Sequence, residues 1–342
     1  VARQFNLACI FPDAMDATSF YRGARPMGLL KKKLDFGIIT NPQALNWPET
    51  SSCDAVYLQR PFSEAHVQMC NLARYLNLPI WIDFDDNIWD IPIHNKAWQN
   101  YRAAGTRQNI LSMLQMAAVV TTTTPFLKSK VTHKNVKVIP NCYDDYLLGE
   151  GSRLQRKKNI KPRKMIFWRG SDSHQKDLMQ VTEAIIKLSR ADQKWEWGIM
   201  GYDPFFLLQN MPPSRTHFIN YTDIIRYFEE IQKRQAAIHI VPLFVDDFNK
   251  AKSNIAWIEA THAGSVVLAP DIEEWRKPGI VNYKNPVTHP TDFEEKLKHM
   301  MDNFDEYRGF NEISWAYIKE NLLLSNVNEK RADILREIIK DL

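Results

Sequence analysis

The chain is 342 residues long, 44% hydrophobic and 25% charged, the composition of a soluble globular protein with room for two ordinary domains. Its net charge of +4 is too small to single out a nucleic-acid partner, no apolar run reaches the length of a membrane span, and the first residues carry no signal-peptide pattern. The cysteines, Cys9, Cys53, Cys70 and Cys142, are scattered without CxxC pairing, which argues against a disulfide frame or zinc site and for reduced thiols in a cytoplasmic protein.

Taken in order, the chain opens with the apolar run FNLACIF (5–11), read as a strand. A polar loop leads to a helix at 22–34 that ends in Lys31-Lys32-Lys33. Further strands are expected at 37–40, 54–59, 79–84, 118–122 and 136–139, with helices at 63–76 and 96–116 between them. The basic stretch 151–163 has no apolar periodicity and reads as a linker. A second alternating series follows, with strands at 165–168, 195–200, 217–220, 237–243, 265–269 and 279–283. Helices are expected at 174–189, 223–235 and 290–303, and the end, 305–342, is helical throughout. Strands alternating with helices predict parallel α/β sheets covered on both faces. The expected division is 1–150, a linker at 151–163, 164–320, and a terminal helix at 321–342. In such sheets ligands sit beyond the carboxyl ends of the strands, so the loops there carry the argument.

The most informative stretch is 242–264, PLFVDDFNKAKSNIAWIEATHAG. A strand runs into an acidic loop ending at Lys252-Ser253, and a helix then carries Glu259. A cation and a hydroxyl at a helix start suit an anion, and a carboxylate under two turns on can accept hydrogen bonds from a sugar diol. An ordinary strand–loop–helix with Ser253 as N-cap explains the stretch equally well. After the strand MIFW comes Arg169-Gly170. An arginine in that place holds a phosphate by two-point contact, or simply pairs with Asp172 or Asp177. PIWIDF runs into Asp85-Asp86-Asn87. These carboxylates suit a metal, a base, sugar hydroxyls or a plain cap. Arg22 and Arg25 either reach toward a ligand or sit solvated on a first helical turn. With only 12 glycines, the chain has no Gly-rich phosphate loop, and no GxSxG, HExxH or GxGxxG is present.

Four stretches carry a resemblance: AAVVTTTTPFLKSKV with VKVIPNCYD, FWRGSDSHQKDL, PLFVDDFNKAKSNIAWIEATHAGSVVLAP, and the final helices with Trp315. In these the chain resembles retaining glycosyltransferases of the family-four type. The resemblance implies the GT-B fold: two facing Rossmann-like domains, with a C-terminal helix crossing back to the N-terminal one. It implies Arg169, Lys176, Lys252 and Ser253 at the donor diphosphate and Glu259 at the ribose. Ala251 stands where the family has the first glutamate of Glu-x7-Glu, which leaves Asp246, Asp247 or Asn249 for the donor sugar. Asp85 and Asp86 would bind or orient the acceptor hydroxyl, with Arg22 and Arg25 beside the acceptor. The resemblance implies no metal or other cofactor and a nucleoside-diphosphate sugar, UDP-sugar first, as co-substrate.

Two acceptors are expected. A hydroxymethylated pyrimidine in DNA, as for phage enzymes that mask their genomes, fits the two basic runs, the many aromatics and the lack of a membrane segment. A surface glycan or lipid-linked sugar fits an apolar, basic face at Leu29-Leu30-Lys31-Lys32-Lys33. Ala251 also admits a non-catalytic nucleotide-sugar-binding module. Asp83-Phe84-Asp85 admits a single-domain, metal-dependent sugar transferase.

Overall fold

A computed structural model of the protein describes residues 5–12, 17–34, 36–40, 52–157 and 161–339, with backbone alone for 31–33 and 36–40. The side chains of the 31–33 lysine run and residues 158–160 of the expected linker lie outside the described residues. Among the described residues twelve strands form, close to the expected places. They are β1 Phe5–Ile10, β2 Phe36–Thr40, β3 Ala55–Gln59, β4 Ile80–Phe84, β5 Val119–Thr122, β6 Val136–Val138, β7 Arg163–Gly170, β8 Glu196–Gly201, β9 Thr216–Asn220, β10 Ala236–Ile240, β11 Val266–Pro270 and β12 Ile280–Tyr283. They make two six-stranded sheets, ordered β2-β1-β3-β4-β5-β6 and β12-β11-β10-β7-β8-β9. Every pairing is parallel. Of the inner strands, β3, β4, β5, β10 and β11 are buried along their whole length, because helices cover both faces of a parallel sheet. That explains why they read as mostly apolar runs and not as alternating ones.

The chain divides into two compact units. The first is Val1–Cys142 with Ala251–Ser253 and Leu324–Leu342. The second is Tyr143–Lys250 with Asn254–Leu323. In the second sheet the chain steps outward from β7 to β8 and β9, then returns to β10 on the other side of β7. This places a topological switch point between β7 and β10, where doubly wound sheets bind nucleotides. The corresponding point of the first sheet lies between β1 and β3.

Several elements depart from expectation for local reasons. The helix expected at 96–116 is two helices, Trp98–Arg102 and Thr106–Met116, broken where Gly105 takes φ +83°. The helix expected at 174–189 is interrupted as well, into Gln175–Met179 and Thr182–Ala191. The expected linker is packed onto the second unit over its described part. Leu154 is buried in that unit's core, and Gln232 Nε2 donates to its carbonyl at 2.8 Å. Three of the six basic residues of this stretch pair with carboxylates: Arg153 with Glu229, Arg156 with Glu312 and Arg163 with Glu196. The last helix, Leu324–Ile338, belongs to the first unit, where Leu324, Val327, Ile334 and Leu335 pack with Leu7, Leu30 and Ile139. Leu29 and Leu30 are therefore core residues and not an outward apolar face.

Arg22 is corrected most sharply. A charge on a first helical turn is normally solvated, but Arg22 is 1% exposed. Its Nη2 donates to Asp83 Oδ1 at 2.6 Å and its Nε to Oδ2 at 3.1 Å. Its Nη1 reaches the Ile139 carbonyl, and the Thr121 hydroxyl also donates to Asp83. Arg22 is thus a buried strut that ties its helix to β4 and to the end of β6, not a side chain open to an acceptor. Arg22→Met should cost about 3–5 kcal/mol in urea unfolding, because it strands Asp83 in the interior. A loss under 1 kcal/mol would show that the pair is not what holds this corner.

Candidate functional site

In the second unit the carboxyl end of β7 delivers Arg169 beside Glu259 of the helix Ile255–His262. An Arg169 Nη2–H donates to Glu259 Oε2, and Tyr227 Oη donates to the same oxygen at 2.8 Å. The Glu259 side chain is 5% exposed, that of Arg169 23%. A buried carboxylate needs such donors, since burial without a partner costs several kcal/mol. Burial, reinforced by Glu259, pushes the Tyr227 phenol well above its ordinary range, so it stays a donor. Tyr227 was not singled out from sequence. It sits in an amphipathic helix, Ile224–Arg234, where a tyrosine carries no local signature. The helix bearing Glu259 is buried from Ala256 to His262, which fixes the carboxylate from behind. Gly201, at the end of β8, takes φ +100°, and a Cβ there would stand 2.5 Å from the Gly170 carbonyl oxygen. Only glycine allows the ends of β7 and β8 to run this close.

The other expected donor residues of this unit are placed differently. Lys176 is exposed on the helix Gln175–Met179. Asp246 accepts from the Asn249 amide at 2.8 Å, and Asp247 pairs with Lys250 at 3.2 Å. Asn249 is buried, its Nδ2 donating to Asp177 Oδ1 at 2.8 Å. Asp177 also accepts from the Phe244 amide at 2.8 Å and meets His174 Nδ1 at 2.8 Å. This single carboxylate, read in the sequence only as a possible partner of Arg169, shapes the loop after β10.

Lys252 and Ser253 lie in the first unit. Thr124 Oγ1 donates to the Ala251 carbonyl at 3.0 Å, and Asn141 Nδ2 donates to Ser253 Oγ at 2.7 Å. Ser253 is therefore not an N-cap; Asn254 holds that position without a side-chain cap bond. Ala251 is fully buried, so a glutamate in its place would need a different backbone course. Lys252 Nζ reaches Asp86 Oδ1 at 3.2 Å.

Asp86 belongs to a cluster at the carboxyl ends of β3 and β4. Arg60 holds Asp85 with Nε and Nη2, the latter at 2.7 Å, and Nη2 also reaches Asp86 Oδ2 at 2.9 Å. Thr123 Oγ1 donates to the Asp85 carbonyl at 3.2 Å. Arg60 takes φ +52°, a left-handed conformation unusual for a residue with a side chain. Burial raises the Asp85 pKa and Arg60 opposes it. Arg60 was missed because a lone arginine after a strand looks like a solvated charge. Its place at a strand end, next to a proline, was the available hint. Asp83 and Asp85 have different partners, Arg22 for the first and Arg60 for the second. Arg25 is partly buried on the helix Ala24–Leu34. Among the described residues no group of three or more His, Cys, Asp or Glu side chains is placed to hold a metal ion, and no helix is long and apolar enough to cross a membrane.

No family model matches the chain, and no curated protein matches it in sequence. Solved structures do match. A glycosyltransferase from Rickettsia africae superposes with a TM-score of 0.66 at 14% identity, over 99% of this chain and 100% of the other. HepE of Anabaena in complex with UDP gives 0.65 at 13%, over 98% and 100%. A UDP-GlcNAc 2-epimerase from Neisseria meningitidis bound to UDP-GlcNAc gives 0.53 at 12%, over 97% and 100%. The two parallel α/β sheets of this chain are thus those of the GT-B fold, which glycosyltransferases and a sugar-nucleotide epimerase share.

Proposed function

We propose that the protein transfers a sugar from a nucleoside-diphosphate donor, a UDP-sugar, to an acceptor hydroxyl with retention of configuration. The observation that carries this reading is the buried Glu259, held by Arg169 and Tyr227 at the nucleotide-binding switch point of the second sheet. Glu259 receives the ribose hydroxyls and Arg169 a phosphate, with Lys176, Lys252 and Ser253 as further diphosphate residues. The similarity to HepE, solved with UDP, supports uridine as the base. In the reaction the bond from the anomeric carbon to the β-phosphate oxygen breaks. The acceptor oxygen bonds on the same face, and its proton passes to the departing phosphate. Fixed cations stabilise that leaving group, so no protein nucleophile is required. Asp86, with Asp85 behind it, orients the acceptor hydroxyl; Asp246, Asp247 and Asn249 line the donor sugar.

For the acceptor, a hydroxymethylated pyrimidine in DNA is tested against a sugar hydroxyl. The ion pairs of Arg153, Arg156 and Arg163 leave the second basic run less charge for phosphates than its sequence implies. A second reading, epimerisation of the donor sugar, is favoured by the match to the epimerase along its entire length. The first experiment is a thermal-shift panel of nucleoside diphosphates. UDP at about 100 times its Kd should add about 2.7 kcal/mol of stability. No shift with any nucleoside diphosphate would sink both readings. With a donor found, an α-linked product from an α-linked donor supports retention, and a β-linked product refutes it.

A further inference from the structure

The segment of the second unit that follows Arg169 carries a histidine held by a built-in carboxylate. β7 ends at Gly170, and a Cβ on that glycine would stand 3.3 Å from the His174 Cβ. His174 therefore lies against the residue next to Arg169. His174 Nδ1 meets Asp177 Oδ2 at 2.8 Å. The other oxygen, Asp177 Oδ1, accepts from the Phe244 amide and from Asn249 Nδ2, both at 2.8 Å. The Asp177 side chain is 7% exposed and that of His174 21%. The loop after β10 thus fixes one oxygen of a buried carboxylate, and the other fixes an imidazole that ligands can reach. Such a partner sets the ring's orientation and favours its charged form.

We propose that His174, oriented by Asp177, is a diphosphate-binding residue that takes up a proton when the donor binds. The proposal rests on the donor reading above. Asp177 takes the Nδ1 proton, and Nε2, across the ring, is the nitrogen that receives the second one. A neutral imidazole offers Nε2 as an acceptor, which a phosphate oxygen cannot use; the imidazolium donates from it and adds a positive charge. The proton comes from solvent, and no bond of the donor is made or broken in this step. The charged groups on the elements around His174 are Asp172, Lys176 and Asp177 on its own segment and Arg169 at the end of β7. In the loop after β10 they are Asp246, which accepts from the Asn249 amide, and the Asp247–Lys250 pair. Asp177 favours the imidazolium, and Arg169, partnered by Glu259, opposes it. An arriving diphosphate adds negative charge and tips that balance toward the charged ring. Asp177 is the positioning residue, acting through His174.

The test is isothermal titration of UDP into the full chain at pH 7.5, in buffers of different ionisation enthalpy, which counts the protons taken up. Imidazole ordinarily titrates near pH 6.5, so the unaltered protein should take up about half a proton or more per UDP. Uridine, which lacks the diphosphate, should bind without uptake. His174→Gln should lose the uptake and bind UDP about tenfold more weakly. Its affinity for uridine should not change, which also shows that it is folded. His174→Lys supplies a cation that does not titrate in this range and should restore UDP affinity without uptake. Affinity and protonation are linked, so the unaltered protein should bind UDP less tightly as pH rises from 7 to 8.5, and His174→Lys should not. No net uptake by the unaltered protein, or the same uptake by His174→Gln, would overturn the proposal while leaving the donor reading intact. No UDP binding by the unaltered protein would overturn the donor reading and the proposal with it.

Discussion

Arg169→Met is expected to weaken UDP binding about a hundredfold. A guanidinium donating to phosphate makes charge-assisted bonds worth about 1.5–3 kcal/mol apiece, and about 2.7 kcal/mol is a factor of a hundred. The position allows little compensation. Arg169 leaves β7 at the switch point, and its nearest counter-charge is the buried Glu259. Arg169→Lys keeps the charge but loses the planar fork, so an intermediate loss of about tenfold is expected. Glu259→Gln keeps the shape and removes the anion that takes the ribose hydroxyls. It should weaken UDP and uridine alike, whereas Arg169→Met should weaken UDP far more than uridine. Isothermal titration with both ligands separates the two roles. Both substitutions also disturb a buried ion pair, which destabilises by about 3–5 kcal/mol when one partner is left behind, so the titrations belong well below the melting temperature. A threefold change or less for Arg169→Met would remove the diphosphate role from this residue.

The second large effect is acid sensitivity of the second unit. Two of its histidines are buried neutral. His239 on β10 packs against the Phe167 ring at 5.5 Å. Burial, with Arg169 nearby, pushes its pKa down to about 3. His262 is pushed down to about 3 by burial and by Arg156. Its surroundings explain why it resists a proton. Gln232 Nε2 donates to His262 Nε2 at 2.8 Å, and His262 Nδ1 meets Tyr143 Oη at 3.0 Å. Tyr143 Oη in turn donates to the Leu148 carbonyl at 2.8 Å. The network assigns the proton to Nδ1, and a second proton on Nε2 would set two donors against each other. Both folded pKa values lie below the unfolded value near 6.5. The stability they sustain is therefore complete above pH 6.5 and is lost as pH falls from there toward 3. At pH 5 the loss is about 2 kcal/mol for each histidine. Thermal melts should show the second unit's transition falling steeply between pH 7 and 5. His262→Gln should flatten that dependence even if it lowers the midpoint at pH 7. A midpoint unchanged from pH 7 to 5 would contradict the neutral, buried assignment.

The elements were legible because a parallel sheet buried on both faces writes itself as mostly apolar runs, as in VVLAP at β11 and AAIHI at β10. What local pattern could not show was how charges pair over distance. Arg22 and Asp83 are 61 residues apart, and Arg169 and Glu259 are 90 apart. Arg22 was therefore read as a cation open to an acceptor or to solvent, and Arg60 and Tyr227 went unnoticed. Arg169 and Glu259 were singled out because Arg169 ends a strand and Glu259 lies within two turns of a helix start, which implies a place near the sheet's carboxyl edge. Lys252 was read as a cation at a helix start, but the side chain that meets it, Asp86, lies 166 residues away. The helix breaks at Gly105 and near residue 180 were missed because apolar spacing continues across them.

Glycosyl transfer and epimerisation share the fold but differ in what happens to the sugar–phosphate bond, and that difference can be seen directly. Proton NMR of UDP-glucose and UDP-GlcNAc incubated with the intact protein resolves each anomeric signal. Transfer to an acceptor, or to water in its absence, predicts loss of the donor signal, free UDP and a new anomeric signal with retained configuration. The reaction should be abolished by Arg169→Met. A nucleotide sugar that stays intact, or that returns as its C2 epimer still joined to UDP, would contradict the assignment of glycosyl transfer.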